Sequence, residues 1–149
     1  MRVIIQRVSE SSVSIAGKTV ASIGFGMMIL VGFTGADTED DIDWIAGKIS
    51  RLRIFDDNQG VMNLSVLETG GEVLLISQFT LYARTRKGNR PSYIDAAVPE
   101  IAIPLYEKFA AALESIMPGK VSRGVFGADM AVSLVNDGPV TIILDSTDR

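Results

Sequence analysis

The chain contains no cysteine and no histidine. Without cysteine there is no disulfide framework to support an extracellular life, so the cytoplasm is the expected compartment. Without either residue there can be no Ser-His-Asp or Cys-His nucleophilic arrangement. A tetrahedral zinc site would lack both of its usual ligand types. Any hydrolytic chemistry must use carboxylates, lysine, backbone dipoles or groups that the substrate brings. No apolar run approaches the ~20 residues of a membrane span, so no transmembrane helix is expected. The start MRVIIQRVSESSVSI breaks its apolar residues with Gln6 and Arg7 and makes a poor signal peptide.

What is present fits one soluble domain spanning residues 1–149. A chain of 149 residues can bury roughly 70% of its unfolded surface. Hydrophobic residues at 47% and charged residues at 21% are ordinary for a globular protein. The formal net charge of −4 argues mildly against a general nucleic-acid binder, because phosphate affinity rests on lysine and arginine. Net charge hides local clustering, however, and the middle of the chain has some.

The first third reads as sheet. Arg2–Val8 alternates loosely, Ser12–Ile15 and Thr19–Ile23 flank an Ala-Gly-Lys hairpin signal, and Met27–Phe33 is an apolar strand. A helix is expected over Asp37–Leu52, capped by Asp37 or Thr38 and started by three acidic residues that suit the helix dipole. Ile42, Ile45, Ala46, Ile49 and Leu52 form its apolar face, and Trp44 falls off it. A short strand is expected over Arg53–Phe55. Asp56–Gly60 is a turn, and its acidic residues lack the alternation and glycine turn of a calcium loop. Val61–Leu67 reads as irregular.

The most informative stretch is Val73–Ala83, VLLISQFTLYA. Val73–Ile76 is a short apolar run consistent with a fully buried strand. Ser77, Gln78 and Thr80 then place two hydroxyls and an amide where a central strand leaves the core. They suit a place that holds a reacting group, and equally the satisfaction of backbone groups at a sheet end. Arg84, Arg86, Lys87 and Arg90 follow within seven positions, in a loop marked by Gly88, Asn89 and Pro91. Such a loop suits phosphate contact as well as plain solvation. A second helix is expected over Pro99–Met117, with Ile101, Leu105, Phe109, Ala112, Leu113 and Ile116 on its apolar face and Pro104 as an awkward interior residue. Strands are expected over Val121–Phe126, Ala131–Val135 and Val140–Leu144. Asn136-Asp137-Gly138-Pro139 reads as a tight turn between the last two.

SQFTL at Ser77–Leu81 and NDGPVT at Asn136–Thr141 resemble the D-aminoacyl-tRNA deacylases. So do MRVIIQRVSESSVSI, RIFDDNQGVMNLSV, GNRPSY and FGADMAVSLVNDGPVT, so the likeness covers essentially the whole chain. The departures, Pro104 and the Ile-Ile-Leu-Asp tail after Thr141, touch neither motif. The resemblance implies an α+β fold, with two β-sheets forming a barrel-like core and two main helices packed on them. It implies a homodimer. No membrane association and no cofactor or metal are expected, since no apolar run is long enough for a span and the chain has no cysteine or histidine to ligate a metal. The substrate would be tRNA charged with a D-amino acid, or with glycine mischarged on tRNA for alanine. Ser77, Gln78, Phe79 and Thr80 match the catalytic motif. Gly138 and Pro139 match a Gly-cisPro motif that enters from the partner subunit and rejects L-amino acids. The basic loop would meet tRNA through Arg84, Arg86, Lys87 and Arg90.

The missing histidine bears on mechanism. An ester is already activated relative to an amide, and the vicinal 2′-OH of the terminal adenosine lies beside the scissile bond. Positioning and backbone N–H donors could carry much of the rate. Substrate-assisted hydrolysis is therefore expected over a Thr80 nucleophile, for which no base is visible. A non-catalytic RNA-binding module and a hydrolase of another small ester remain the alternatives.

Overall fold

The computed structural model describes residues Met1–Arg149. Its long first strand, β1 (Arg2–Ile15), organises the sheet. Its first half pairs antiparallel with β3 (Gly26–Gly32), and its second half with β2 (Lys18–Ile23). The opposite edge pairs along almost the whole length with β8 (Ala131–Asp145). Register shifts at Gln6/Val8, Val8/Glu10 and Val13/Ser14 bend it. Such bulges increase twist and help a sheet curl. The expected break between Val8 and Ser12 is therefore a bend within one strand.

β6 (Glu72–Ser77) lies parallel to β3, and β7 (Val121–Arg123) parallel to β6. Parallel neighbours need crossovers. The first carries α1 (Glu39–Arg51), the ribbon of β4 (Phe55–Asp56) and β5 (Met62–Leu64), and the short α2 (Val66–Thr69). The second carries α3 (Pro99–Ile116). The fold is α+β: a barrel-like six-stranded mixed sheet, a second two-stranded sheet and two main helices.

β6 explains its own composition. Val73 and Leu75 join the large cluster against the helices, while Leu74 and Ile76 join Val8, Val13, Ile23 and Met28 on the other side. A strand buried on both faces reads as an unbroken apolar run. In α1, Ile42, Ile45, Ala46 and Ile49 are buried as the spacing predicts. Thr38 is the cap, and the Asp41 carboxylate accepts from both its amide and its hydroxyl, each at 2.8 Å. Asp37 instead accepts from the Thr34 amide and the Met1 amino group.

Three expectations change. The buried stripe of α3 is Ala102, Tyr106, Phe109, Ala110 and Leu113, while Ile101 and Ile116 are exposed. The helix runs unbroken from Pro99, with Pro104 on its exposed side. Residues 61–67 are ordered: Ser65 caps α2 and exchanges hydrogen bonds with Glu68. Asn136–Pro139 is not a hairpin turn. Gln6 stays paired with Thr141 and Val8 with Asn136, so Asp137–Val140 bulge out opposite Arg7 while β8 continues. Pairing with β1 on both sides overrides the local turn signal.

The carboxylates set the acid behaviour. The hydrogen bond and charge of Lys108 hold Glu39 below its ordinary value. The amides of Gln59 and Val61 do the same for Asp57, and Ser65 for Glu68. At Asp41 burial works upward, but donors from Thr38 and Arg149 outweigh it and the net shift is down. Depressed groups contribute stability that is present above the ordinary carboxylate range and lost as pH falls through the folded values. With no histidine, no side chain has an ordinary value between about pH 5 and 7. The urea midpoint should therefore stay level from pH 7 to about 5 and fall below about 4. A midpoint that rises on acidification would contradict this.

Candidate functional site

The site forms where β6 ends. Gln78 donates its amide to Val31 O at 2.6 Å, the last rung shared with β3. The chain then tightens into a 3₁₀ turn over Phe79–Tyr82. A Cβ on Gly32 would lie 2.8 Å from Gln78 O, so glycine there lets the turn close against β3. The amides of Phe79 and Thr80 donate to no backbone carbonyl. Groups at the start of such a turn have no partner within it.

Ser77, Gln78 and Phe79 line a cavity of about 630 Å³. Val31–Phe33 and Ile76 form one side, Val98, Pro99 and Ala102 at the start of α3 another, and Phe126, Gly127, Ala128 and Met130 a third. No charged residue lines it, and the Tyr93 phenol is its one ionisable group. Phe79 is 55% exposed and sets its ring against the edge of Tyr93 at 5.0 Å. Thr80 does not line the cavity. Its hydroxyl accepts from Gln78 Nε2 and is hydrogen-bonded to no carboxylate or amine.

Buried supports hold these walls. Tyr106 donates its hydroxyl to Leu75 O at 3.1 Å, two residues before Ser77. Gly124 donates its amide to the same carbonyl at 3.0 Å. Burial pushes the Tyr106 phenol up to about 12, so it stays a neutral donor. The Phe126 ring rests on Tyr106 at 5.7 Å. Ala97 donates to Phe33 O at 2.8 Å and ties the approach to α3 to the end of β3.

Gly138 and Pro139 lie elsewhere. They are exposed in the β8 bulge, are joined by a cis peptide, and do not line this chain's own cavity. Gly138 has φ +124°, and a Cβ there would meet Arg7 Nη2 at 2.9 Å. Arg7, 6% exposed, anchors the bulge. Its Nε donates to Asp137 O at 3.0 Å and its Nη1 to Ile54 O at 2.8 Å. Asp56 and Asp137 pair with it at 3.1 and 3.3 Å.

The basic loop is exposed as expected. Arg84 pairs with Asp95 and bridges to Ser92, closing the loop's base. Arg86, Lys87 and Arg90 have no carboxylate within ion-pair distance. Sequence reasoning missed Arg7, Tyr106 and the Phe126–Met130 wall. Gly124, inside the strand expected over Val121–Phe126, and Gly127, just after it, carried a signal for the last.

The chain was compared with known proteins. A family model described as D-Tyr-tRNA(Tyr) deacylase matches residues 4–145. The chain is 58% identical to a D-aminoacyl-tRNA deacylase of Bacteroides thetaiotaomicron, over all of this chain and 99% of that one. It is 60% identical, with the same coverage, to a protein of that name from Porphyromonas gingivalis. Among solved structures it is similar to a c-Myc DNA unwinding element binding protein, with a TM-score of 0.93 and 37% identity over 97% of this chain and 98% of that one. A probable eukaryotic D-amino acid tRNA deacylase shares the fold, with a TM-score of 0.82 and 17% identity over 96% of this chain and 97% of that one.

Arg7 offers a direct check on the bulge. Arg7→Met leaves the carbonyls of Ile54 and Asp137 without their donor, and the unfolding free energy should drop by about 2 kcal/mol or more. Backbone amide exchange at Asp137 and Gly138 should rise with it. Unchanged stability and exchange would show that Arg7 does not hold the bulge.

Proposed function

The chain belongs to the D-aminoacyl-tRNA deacylase family, enzymes that act on the ester bond of aminoacyl-tRNA, and on that premise we propose that it performs chiral proofreading. It releases the D-amino acid and free tRNA, and also removes glycine mischarged on tRNA for alanine. The observation that carries the mechanism is the cavity itself. It is built at a polar strand end, carries no charged lining residue and sits beside the free amides of Phe79 and Thr80. A site without a general base suits a substrate that brings its own hydroxyl. The 2′-OH of the terminal adenosine assists the attack, and the Phe79 and Thr80 amides stabilise the developing oxyanion. Ser77 and Gln78 position the aminoacyl-adenosine, and Phe79 packs against it.

Chirality enters through a second subunit. Gly138 and Pro139 stand on the exposed side of β8, where Val135 and Ile143 are 50% and 64% exposed. Asn136 Oδ1 is buried without a donor in the single chain. An exposed strand edge, apolar neighbours and an unsatisfied acceptor support a homodimer in which each bulge enters the partner's cavity. The bulge leaves room for an α-hydrogen and none for an L side chain, and glycine passes because it has only hydrogens there. Arg86, Lys87 and Arg90, with the Arg84–Asp95 pair at the loop's base, meet tRNA phosphates near the cavity.

Purified protein should release D-amino acid from D-aminoacyl-tRNA, and Thr80→Val should keep a substantial fraction of that rate. Neutralising Arg86, Lys87 and Arg90 should raise KM for tRNA and spare D-aminoacyl-adenosine. An acyl group trapped on Thr80, or abolished turnover in a folded Thr80→Val protein, would exclude the substrate-assisted route.

A further inference from the structure

We propose that the outer face of α1 holds the phosphodiester backbone of the tRNA at a distance from the cavity; this rests on the reading of the chain as an enzyme acting on aminoacyl-tRNA. The inner face of α1 is filled by Ile42, Ile45, Ala46 and Ile49. Its outer face carries Trp44, Lys48 and Arg51 at helical spacing, with the buried Gly47 against the Arg51 guanidinium. Trp44, Lys48 and Arg51, with Leu52 and Arg53, border a shallow depression of about 390 Å³, on which Asp43 is the one carboxylate.

Three features of this face go beyond a solvated helix end. First, Lys48, Arg51 and Arg53 are exposed and cluster on one face, none within ion-pair distance of a carboxylate, with Glu68 the carboxylate that feels the Arg53 charge. Second, the charges are held in place. Lys48 Nζ lies 5.8 Å from the centre of the Trp44 ring, and the Arg149 guanidinium, itself paired with Asp41, lies at the same distance. A ring shared by two cations positions charge rather than offering a free face to a base. Arg53 Nε is fixed on Asn63 O at 2.7 Å. Third, a Cβ on Gly47 would lie 3.1 Å from an Arg51 guanidinium nitrogen. Glycine inside a helix costs about 1 kcal/mol relative to alanine, and here it leaves room for the guanidinium to lie back along the helix. Compensation of the helix dipole accounts for Lys48 and Arg51 in the last turn. It accounts for neither Arg53 nor the glycine.

The partner is set by charge and reach. The depression shares no lining residue with this chain's own cavity. A single nucleotide in the cavity does not also fill a separate depression. An RNA strand with phosphates at intervals of several ångströms reaches both. The contact is to backbone, so it adds affinity without reading sequence.

The test is the full-length variant Lys48→Gln/Arg51→Gln/Arg53→Gln, with Arg53→Gln alone as a variant that leaves the helix untouched. Binding of uncharged tRNA is measured across a salt series, beside hydrolysis of D-aminoacyl-adenosine. The triple variant should bind about tenfold more weakly at moderate salt, with a log K against log salt slope shallower by about two to three. Arg53→Gln should flatten it by about one. Hydrolysis of D-aminoacyl-adenosine should not change, and the melting temperature should fall by no more than a few degrees, from the lost helix-dipole compensation. Unaltered affinity and slope would overturn the proposal, as would an equal loss on the small substrate. If wild-type protein releases no D-amino acid, the enzymatic reading fails while tRNA binding still decides the role of this face.

Discussion

Antiparallel pairing of β1 with β8 is the constraint on which the rest of the molecule depends. It runs from Arg2–Asp145 to Ser14–Ala131 and slips only at Arg7 and at Ser9, on either side of the Val8–Asn136 pair. Because pairing resumes on both sides, the extra residues of β8 have nowhere to go but outward. A buried arginine then fixes the bulge's carbonyl and carboxylate. The same β1 carries β3 on its other edge, β3 carries β6, and the parallel ends of β3 and β6 make the cavity. One strand thus sets both the cavity and the bulge, on separate parts of a single chain.

The cavity's chemistry follows from what surrounds β6. A strand buried on both faces ends abruptly, and its last polar residues and free amides are the functional groups that remain. Tyr106 beneath Leu75 is a neutral donor, so it supports the strand end without adding charge. Dipoles held rigidly in an apolar setting are worth more than in water and need no reorganisation during reaction. That suits an activated ester and would be a poor design for an amide.

Much of the architecture was legible in the sequence. The helical spacing of Ile42, Ile45, Ala46 and Ile49 marked α1, and the switch from VLLI to SQFT marked the place where the cavity forms. The Ser-Val-Leu-Glu capping pattern at Ser65–Glu68 was also there to be read. Other features were not legible. Asp-Gly in Asp137-Gly138 is a local turn signal, and only pairing with a distant strand turns it into a bulge. On α3, Phe109 and Leu113 are buried as their spacing suggests, but Tyr106 reads as amphipathic, whereas its hydroxyl finds a carbonyl inside the core. Arg7 looked like an interruption of an apolar strand, since its partners lie 47 and 130 residues away.

A cavity with no charged lining residue and a bulge that lies away from its own cavity fit the proposal of selection by shape at a site shared between two subunits. The most direct measurement is release of amino acid from one tRNA species charged in parallel with the D- and the L-form of the same residue. The expected result is rapid release of the D-form while the L-form persists at its spontaneous rate. Equal release of both would contradict steric selection by Gly138 and Pro139.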